Sequence, residues 1–481
     1  MTEVEKAVAV NTNHIEHAAE KFLKDFFAYH RGLMDDNVIQ EIGNEQVERI
    51  RQIGIPEEGR PLDTVMQEME DDVYRYGYNV NHVRYFGFVP GPSSLLSWVG
   101  DIMTAAYNRH AGTWATCPAG GCIEEELIAW LCDKAGYPSE TSGGLFVSGG
   151  SMANMTALTV ARDQILSEDT WHLGTAYVSE QTHSSVAKGL RMIGIGNSRI
   201  RKIPVDDAFR MDTEQLEHAI QRDREAGFIP FVVIASAGTT NTGSIDPFEK
   251  ISAICRQNGM WMHVDGAYGA SVLLSPQHRD LLKGIELSDS ISWDAHKWLF
   301  QTYACGMVLV KEKRNMMDSF GAHPEYLKDL EAEHTEINPS DMGMELTRPA
   351  RGLKLWLTLQ VMGSKAFGEA IDHGFVLAQW AEDELKTCED VEMISPAHMA
   401  MVNFRYNPQG YTEKQKDALN QQISRKMVQS GYAGVFTTEL KGKKVLRICS
   451  IHPETTEKDI RTTVQRLHQY YYEMVGDKGG I

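Results

Sequence analysis

Residues 144–166 read GLFVSGGSMANMTALTVARDQIL, and this run decides the fold class. An apolar segment ends on Ser148-Gly149-Gly150, after which Met152, Met155, Leu158 and Ala161 recur at the spacing of one helical face. The run therefore reads as strand, glycine turn, helix. The same unit repeats downstream: TAYVSEQ (175–181) and SSVAKGLRMIG (184–194), then RIRKIPV (199–205) and a helix opening at Asp212 with Gln215 at capping-box distance. FIPFVVIASAG (228–238) reads as a buried strand, followed by a helix from Asp246 to about Gln257 that stops at Gly259. MWMHVDG (260–266), SISWDAHKW (290–298) and CGMVLVK (305–311) supply three more strands. Alternation of this kind from about 143 to 312 predicts an α/β layer on a mostly parallel sheet.

Beyond about residue 365 the pattern becomes α+β: strand MAMVNFRY (399–406), a helix from Thr412, a hairpin-like VFTTELKGKKVLRICSI (435–451), and a last helix beginning near Thr455. The first 80 or so residues are helical and charged, with HAAEKFLKDFFAYH (17–30) amphipathic, and are too thin for their own core. The expected division is an N-terminal helical segment, 1–82, that wraps against a second subunit; a large domain, 83–365; and a small C-terminal α+β domain, 366–481.

The 481 residues carry a formal net charge of −19, 42% hydrophobic and 23% charged residues, a composition suited to globular domains with sizeable cores. The acidic excess, without a basic run, argues against a nucleic-acid partner. The longest apolar stretch, residues 228–237, is far short of the roughly 20 residues that span a bilayer, and the N-terminal stretch lacks the pattern of a signal peptide. Seven cysteines without a CxxC or zinc-like spacing predict free thiols, no metal site and a cytoplasmic setting.

In open α/β sheets ligands bind beyond the carboxyl ends of the strands, so strand-end residues come first. Gly150 and Ser151 open a helix, where free N–H groups and the helix dipole favour a phosphate, although such a turn serves equally as a tight connection. No GxxxxGK[ST] occurs, and GIGNSR (194–199) fails the dinucleotide pattern. A cofactor-dependent reaction on a small amine needs a nucleophilic lysine, a carboxylate for a ring nitrogen and flat partners for the ring. Lys297, between His296 and Trp298, is a candidate for the first, since partial desolvation favours the neutral amine; taken alone it reads as a solvated lysine. Asp265 ends an apolar strand and serves either that carboxylate role or a turn. His183 is either a ring-stacking or a loop-capping histidine.

VSGGSMANMTAL, SEQTHSSVAKG, GTTNTGSID, HVDGAYGAS and SWDAHKW follow in that order, with RGLKLW (351–356) and VLRICS (445–450) beyond them. Together they resemble the pyridoxal-phosphate-dependent group II amino-acid decarboxylases, and within that family the aromatic-amino-acid members, bacterial tryptophan decarboxylases in particular. The resemblance implies the fold type I, PLP-dependent transferase-like architecture, pyridoxal 5'-phosphate as cofactor and a homodimer with its site at the subunit interface. It also implies roles: Lys297 holding the cofactor as a Schiff base, Asp265 pairing with the pyridine nitrogen, His183 stacking on one ring face and Ala267 admitting the other. Gly150, Ser151, Thr240, Asp294 and His296 match positions that bind the phosphate or line the cofactor site.

Two positions depart from the family pattern. Many relatives read NPHK where this chain has Asp294-Ala295-His296-Lys297, which places a carboxylate near the phosphate. The segment from Lys313 to Arg348 resembles a mobile catalytic loop, but the position of the relatives' loop tyrosine falls near Pro339, with Tyr326 well upstream. Phe88 in VRYFGFVPGP and His110 in YNRHAGTW are the candidates to face an aromatic substrate, with Phe86 and Trp114 expected in the core. The leading expectation is decarboxylation of tryptophan or phenylalanine to tryptamine or phenethylamine. The alternatives are an aromatic aldehyde synthase, because the loop tyrosine is missing, and a non-catalytic α/β binding protein.

Overall fold

The computed structural model describes residues 12–321 and 337–476. In chain order the elements used below are α1 (Thr12–Gly32), α2 (Leu95–Tyr107), α3 (Pro118–Ala135), β1 (Gly143–Val147), α4 (Gly150–Ile165), β2 (Gly174–Ser179), α5 (Ser184–Met192), β3 (Ile200–Ile203), α6 (Thr213–Glu225), β4 (Ile229–Ser236), α7 (Phe248–Asn258), β5 (Trp261–Asp265), β6 (Ser290–Asp294) and β7 (Gly306–Val310). There follow α8 (Leu353–Leu385), β8 (Val391–His398), β9 (Met401–Tyr406), α9 (Glu413–Gln429), β10 (Phe436–Leu440), β11 (Lys443–Cys449) and α10 (Glu457–Gly476).

Seven strands form one sheet in the order β1-β7-β6-β5-β4-β2-β3. β7 alone is reversed: it pairs antiparallel with both β1 and β6, and the remaining neighbours are parallel. The sheet is thus mixed and mostly parallel, as expected. Its strands are buried on both faces, as in a sheet covered by helices on both sides. One core holds Phe146, Tyr177, Trp293 and Trp298; a second, across the sheet, holds Ala157, Val178, Ile234 and Val308.

Local signals explain the helix ends. Asp212 caps α6 by accepting from the N–H groups of Glu214 and Gln215, and Gly259 ends α7 at φ 62°, a left-handed conformation that glycine adopts without strain. α7 begins at Phe248, two residues after the expected Asp246, because Asp246 is buried and accepts instead from the N–H groups of Met211 and Ser236.

The C-terminal sheet runs β8-β9-β11-β10, all antiparallel, and its core includes Phe404, Tyr406, Leu446 and Tyr471. Phe86 packs in this core while Trp114 is only half-buried, so the expectation of a core position holds for the first and not the second. α8 is broken at Gly363 (φ 77°). Among the described residues no helix is long and apolar enough to cross a membrane, and no cluster of side chains suits a metal ion.

Candidate active site

The carboxyl ends of β1, β4, β5 and β6 open into a cavity of about 470 Å³, within the size range of small-molecule sites. Gly150, Ser151, His183, Thr240, Asp265, Ala267, Asp294, His296, Lys297 and Phe88 all line it. Residues spread over more than 200 positions therefore converge because the strands that carry them end on the same edge.

α4 supplies one wall. The first N–H groups of a helix have no partner within it, and no side chain caps this one. Gly149 and Gly150 leave the cradle bare: a Cβ on Gly150 would lie 2.8 Å from Asp294 Oδ2 and 3.1 Å from Ala267 Cβ. Asp265 stands where β5 emerges. Its Oδ1 accepts from Ala267 N and from Ser292 Oγ, both at 3.2 Å, and its Oδ2 accepts from Asn154 Nδ2 at 3.2 Å. Three donors from three elements fix the plane of the carboxylate.

Lys297 follows β6, and its Nζ lies 3.1 Å from Asp294 Oδ2. Asp294 is buried; Oδ2 also faces His296 Nε2 at 3.7 Å, and Oδ1 has no hydrogen-bond partner among the described residues. Burial holds the His296 imidazole below its usual pKa, the Lys297 charge adds to this, and Asp294 opposes it. His183 is the N-cap of α5: its Nδ1 accepts from Ser185 N at 3.3 Å and pairs with Ser185 Oγ at 2.8 Å. A nitrogen that accepts from a backbone N–H carries no proton, so the neutral ring is protonated at Nε2. The loop-capping and the cavity-lining readings of His183 thus hold together. Thr240 is positioned through its carbonyl, which accepts from Arg447 Nη1 on β11.

Phe88 takes φ 50°, rare for an aromatic residue, and is 55% exposed. Its ring stacks on Phe436 of β10 at 5.2 Å and on Tyr78 at 6.3 Å. His110 is the exception among the predicted site residues. It lies outside this cavity, with Nδ1 3.1 Å from Thr116 Oγ1, beside a segment in which Asn338 Oδ1 accepts from Trp114 N and Ser340 N donates to Gly112 O. The pairing of His110 with Phe88 is therefore corrected for a single chain. Pro339 opens a short helical turn in that same segment, and Tyr326 lies outside the described residues.

Ser185 and Tyr268, at the strand ends, also line the cavity; Asn154, which lines it, and Ser292, which donates to Asp265, escaped the sequence reading. Their signal was periodicity: Asn154 lies one turn into α4, and Ser292 is registered opposite Asp265 on the neighbouring strand.

A helix N-terminus free of side chains, a fixed carboxylate, a lysine and a small residue on the opposite wall fit pyridoxal phosphate, whose phosphate, ring nitrogen, aldehyde carbon and flat ring demand those four things in turn.

Residues 45–407 match the model of the pyridoxal-dependent decarboxylase conserved domain. The chain is 38% identical over 415 residues to an aromatic-L-amino-acid decarboxylase of Bacillus atrophaeus, covering 86% of each chain. It is 30% identical over 430 residues to an L-2,4-diaminobutyrate decarboxylase of Acinetobacter baumannii, covering 85% of this chain and 84% of the other. A crystal structure of Oryza sativa TDC with PLP and tryptamine superposes with a TM-score of 0.91 at 27% identity, covering 97% of this chain and 99% of that one. The match over three quarters of its length, and a site that fits the cofactor, establish that the chain belongs to the pyridoxal-dependent decarboxylase family, with pyridoxal phosphate as its cofactor.

Proposed function

We propose that the chain decarboxylates an aromatic L-amino acid, tryptophan or phenylalanine, to the arylalkylamine and carbon dioxide. The observation that carries the aromatic class is the stack of Phe88, Phe436 and Tyr78, with Phe88 on the wall of the cofactor cavity. Aromatic rings bind other rings by offset and edge contacts and offer an acidic side chain no ion pair. The name of the Bacillus atrophaeus relative supports the same class.

Bound pyridoxal phosphate supplies the electron sink for the pair left behind by departing carbon dioxide. In this reading Lys297 Nζ is the point of covalent attachment, and Asp294 holds it toward the cavity in the free protein. The N–H groups opening α4 take the phosphate, with Thr240 and His296 on the adjoining walls. Asp265, held by its three donors, faces the ring nitrogen and keeps its proton in place. His183, anchored through Nδ1, offers its ring face, and Ala267 leaves room on the other side.

The homodimer is part of the same proposal. Ile102, Met103 and Tyr107 of α2 and Val361 and Met362 of α8 are exposed in one chain, as are Phe22, Leu23 and Phe27 of α1. Apolar surface on this scale is characteristic of an interface, and a second subunit would bring His110 and the Asn338–Ser340 turn to its partner's cavity. The division at 82 and 365 also stands as a proposal, supported by the separate C-terminal core and the break at Gly363.

The test is a product assay on holoprotein with tryptophan, phenylalanine, tyrosine, glutamate and 2,4-diaminobutyrate, quantifying amine, aldehyde and hydrogen peroxide. Amine from an aromatic substrate without peroxide supports the proposal, and turnover of diaminobutyrate or glutamate alone overturns the substrate class. Proline at 339 has no hydroxyl to donate a proton, which favours a second outcome, aldehyde with peroxide and ammonia. Lys297→Ala is expected to abolish turnover in every case, and retained activity would refute covalent attachment at Nζ.

A further inference from the structure

β5 presents Trp261, His263 and Asp265 on one face, since side chains alternate along a strand. Opposite them in register β6 presents Ser290 and Ser292, paired with His263 and Asp265 respectively. Asn154 of α4 covers this face. The polar groups form one continuous chain: Trp261 Nε1 to Ser290 Oγ at 2.8 Å, Ser290 Oγ to His263 Nδ1 at 2.8 Å, His263 Nε2 to Asn154 Oδ1 at 2.9 Å, and Asn154 Nδ2 to Asp265 Oδ2 at 3.2 Å.

The direction of every bond follows from its two ends. A carboxylate only accepts, so Asn154 turns its amide nitrogen to Asp265 and its oxygen to His263. That oxygen also only accepts, so His263 donates from Nε2. Burial pushes the His263 imidazole down to about 4, with Asp265 opposing the shift, so the ring is neutral at working pH and Nδ1 is left to accept from the Ser290 hydroxyl. Trp261 Nε1 only donates, and closes the chain at the far end. All donors point toward Asp265, and Trp261, Ser290, His263 and Asn154 are each at most 6% exposed, so water cannot substitute for a missing member.

We infer that His263 and Asn154 are positioning residues that set Asp265 for the cofactor's ring nitrogen, His263 acting as a lock on the amide orientation of Asn154. An Asn amide can rotate by a half turn at little steric cost, which would present oxygen to the Asp265 carboxylate. Both neighbours oppose that rotamer: its oxygen would meet the Asp265 carboxylate, and its nitrogen would meet the Nε2–H of His263, which Ser290 holds in place by donating to Nδ1. The inference rests on the proposed role of Asp265.

The experiment compares Asn154→Ala, His263→Leu, His263→Gln, Ser290→Ala and Asp265→Asn. Each is measured for pyridoxal phosphate Kd by titration of the apoprotein, for the absorbance spectrum of the holoprotein against pH, and for KM and kcat with its best substrate. The loss of one charge-assisted hydrogen bond corresponds to at least about a tenfold effect. Asn154→Ala is therefore expected to raise the cofactor Kd about tenfold and His263→Leu, which removes a neutral bond, severalfold; both should move the pH dependence of the spectrum and lower kcat with KM little changed. His263→Gln retains an N–H donor and recovers most of the wild-type Kd and spectrum. Ser290→Ala breaks the chain at its far end while keeping volume, and is expected to show a smaller effect of the same sign. Should His263→Leu fail to fold, as judged by circular dichroism, Asn154→Ala and Ser290→Ala carry the test. Wild-type Kd and spectra in the folded variants, with Asp265→Asn impaired, would overturn the inference alone. An unimpaired Asp265→Asn would overturn the role of Asp265 itself, and an equal loss in His263→Gln and His263→Leu would refute the lock.

Discussion

The buried ion pair beneath β1 offers the most direct test of how the cofactor cradle is supported. Arg348 Nη2 donates to Glu124 Oε1 at 2.8 Å, to Oε2 at 3.0 Å and to Phe146 O at 2.8 Å, while Nη1 donates to Ala111 O at 3.3 Å. Glu124 Oε1 in turn accepts from Phe146 N at 3.0 Å. Both side chains are almost wholly buried, and Phe146 lies two residues before Ser148, where the cradle begins. Glu124→Gln keeps the volume and removes the charge, leaving a guanidinium in a site without water. Breaking a buried pair from one side costs about 3–5 kcal/mol, because the remaining charge keeps its desolvation penalty without compensation. With an unfolding entropy of about 2.1 cal/mol/K per residue, a chain of 481 residues shifts by roughly 1 °C per kcal/mol, so the melting temperature should fall by about 3–5 °C. The double variant Glu124→Leu/Arg348→Met removes both charges and is expected to recover part of the loss, since it ends the penalty of the lone charge but takes a partner from Phe146 N, Phe146 O and Ala111 O. Differential scanning fluorimetry of holoprotein at fixed cofactor concentration, with cofactor Kd as a second reading, measures both. A melting temperature unchanged in Glu124→Gln, or a double variant less stable than the single one, would refute the electrostatic account.

At the cradle itself, Gly150→Ala sets a methyl group 2.8 Å from a buried carboxylate oxygen, an overpacking cost of about 1–3 kcal/mol, so cofactor affinity should fall about tenfold. Gly196, with nothing within 4 Å of its Cβ position, is the control, and Gly196→Ala should leave the titration unchanged. Three histidines, His82, His263 and His452, are pushed down to about 4, burial being the largest cause for each. Their folded pKa lies below the unfolded value, so their contribution to stability is complete above about pH 6.5 and is lost as pH falls toward 4. Asp246, raised to about 6 by burial, works in the opposite sense and gains stability over part of that range. A tenfold change in proton affinity between the folded and unfolded chain is worth about 1.4 kcal/mol, less where solvent screens the group, so three groups against one predict a net loss of a few kcal/mol. Thermal melts between pH 7 and pH 4 should show a steady decline, and a constant or rising melting temperature would contradict it.

How much of this was legible in the sequence depends on how local each cause is. Strands β1, β2, β4 and β5 were readable as largely apolar runs and β6 as an alternating one, and their ends were readable because the pattern stops at a polar or glycine residue. Asp265, Asp294 and Lys297 stood out at such ends, and the family resemblance supplied their roles. β8 was missed: its residues alternate poorly between buried and exposed, and its register slips twice against β9. The Glu124–Arg348 pair was invisible, because a charge that is buried reads like one that is solvated until the fold brings its partner. His110 lies outside the cavity for a related reason: a motif read along the sequence does not give the position of its side chain in the fold.

The reversed strand shows how a non-local fact completes a local motif. CGMVLVK has the composition of a parallel strand, yet only residues 295–305 separate β6 from β7, and they contain no helix to return the chain to the starting edge. A connection that short turns the chain back, so β7 runs opposite to β6 and starts at the edge where its neighbours end. Its first residue, Gly306, is registered with both Val147 and Asp294, directly between the cradle and the lysine. A Cβ there would lie 2.6 Å from Asp294 Oδ1 and 2.6 Å from Gly149 Cα. The reversal therefore places a residue without a side chain at the point where α4's opening turn and the Asp294 carboxylate must meet. The cofactor site thus depends on the direction of a strand that contributes no side chain to it, which is why motifs alone located its residues without giving their geometry.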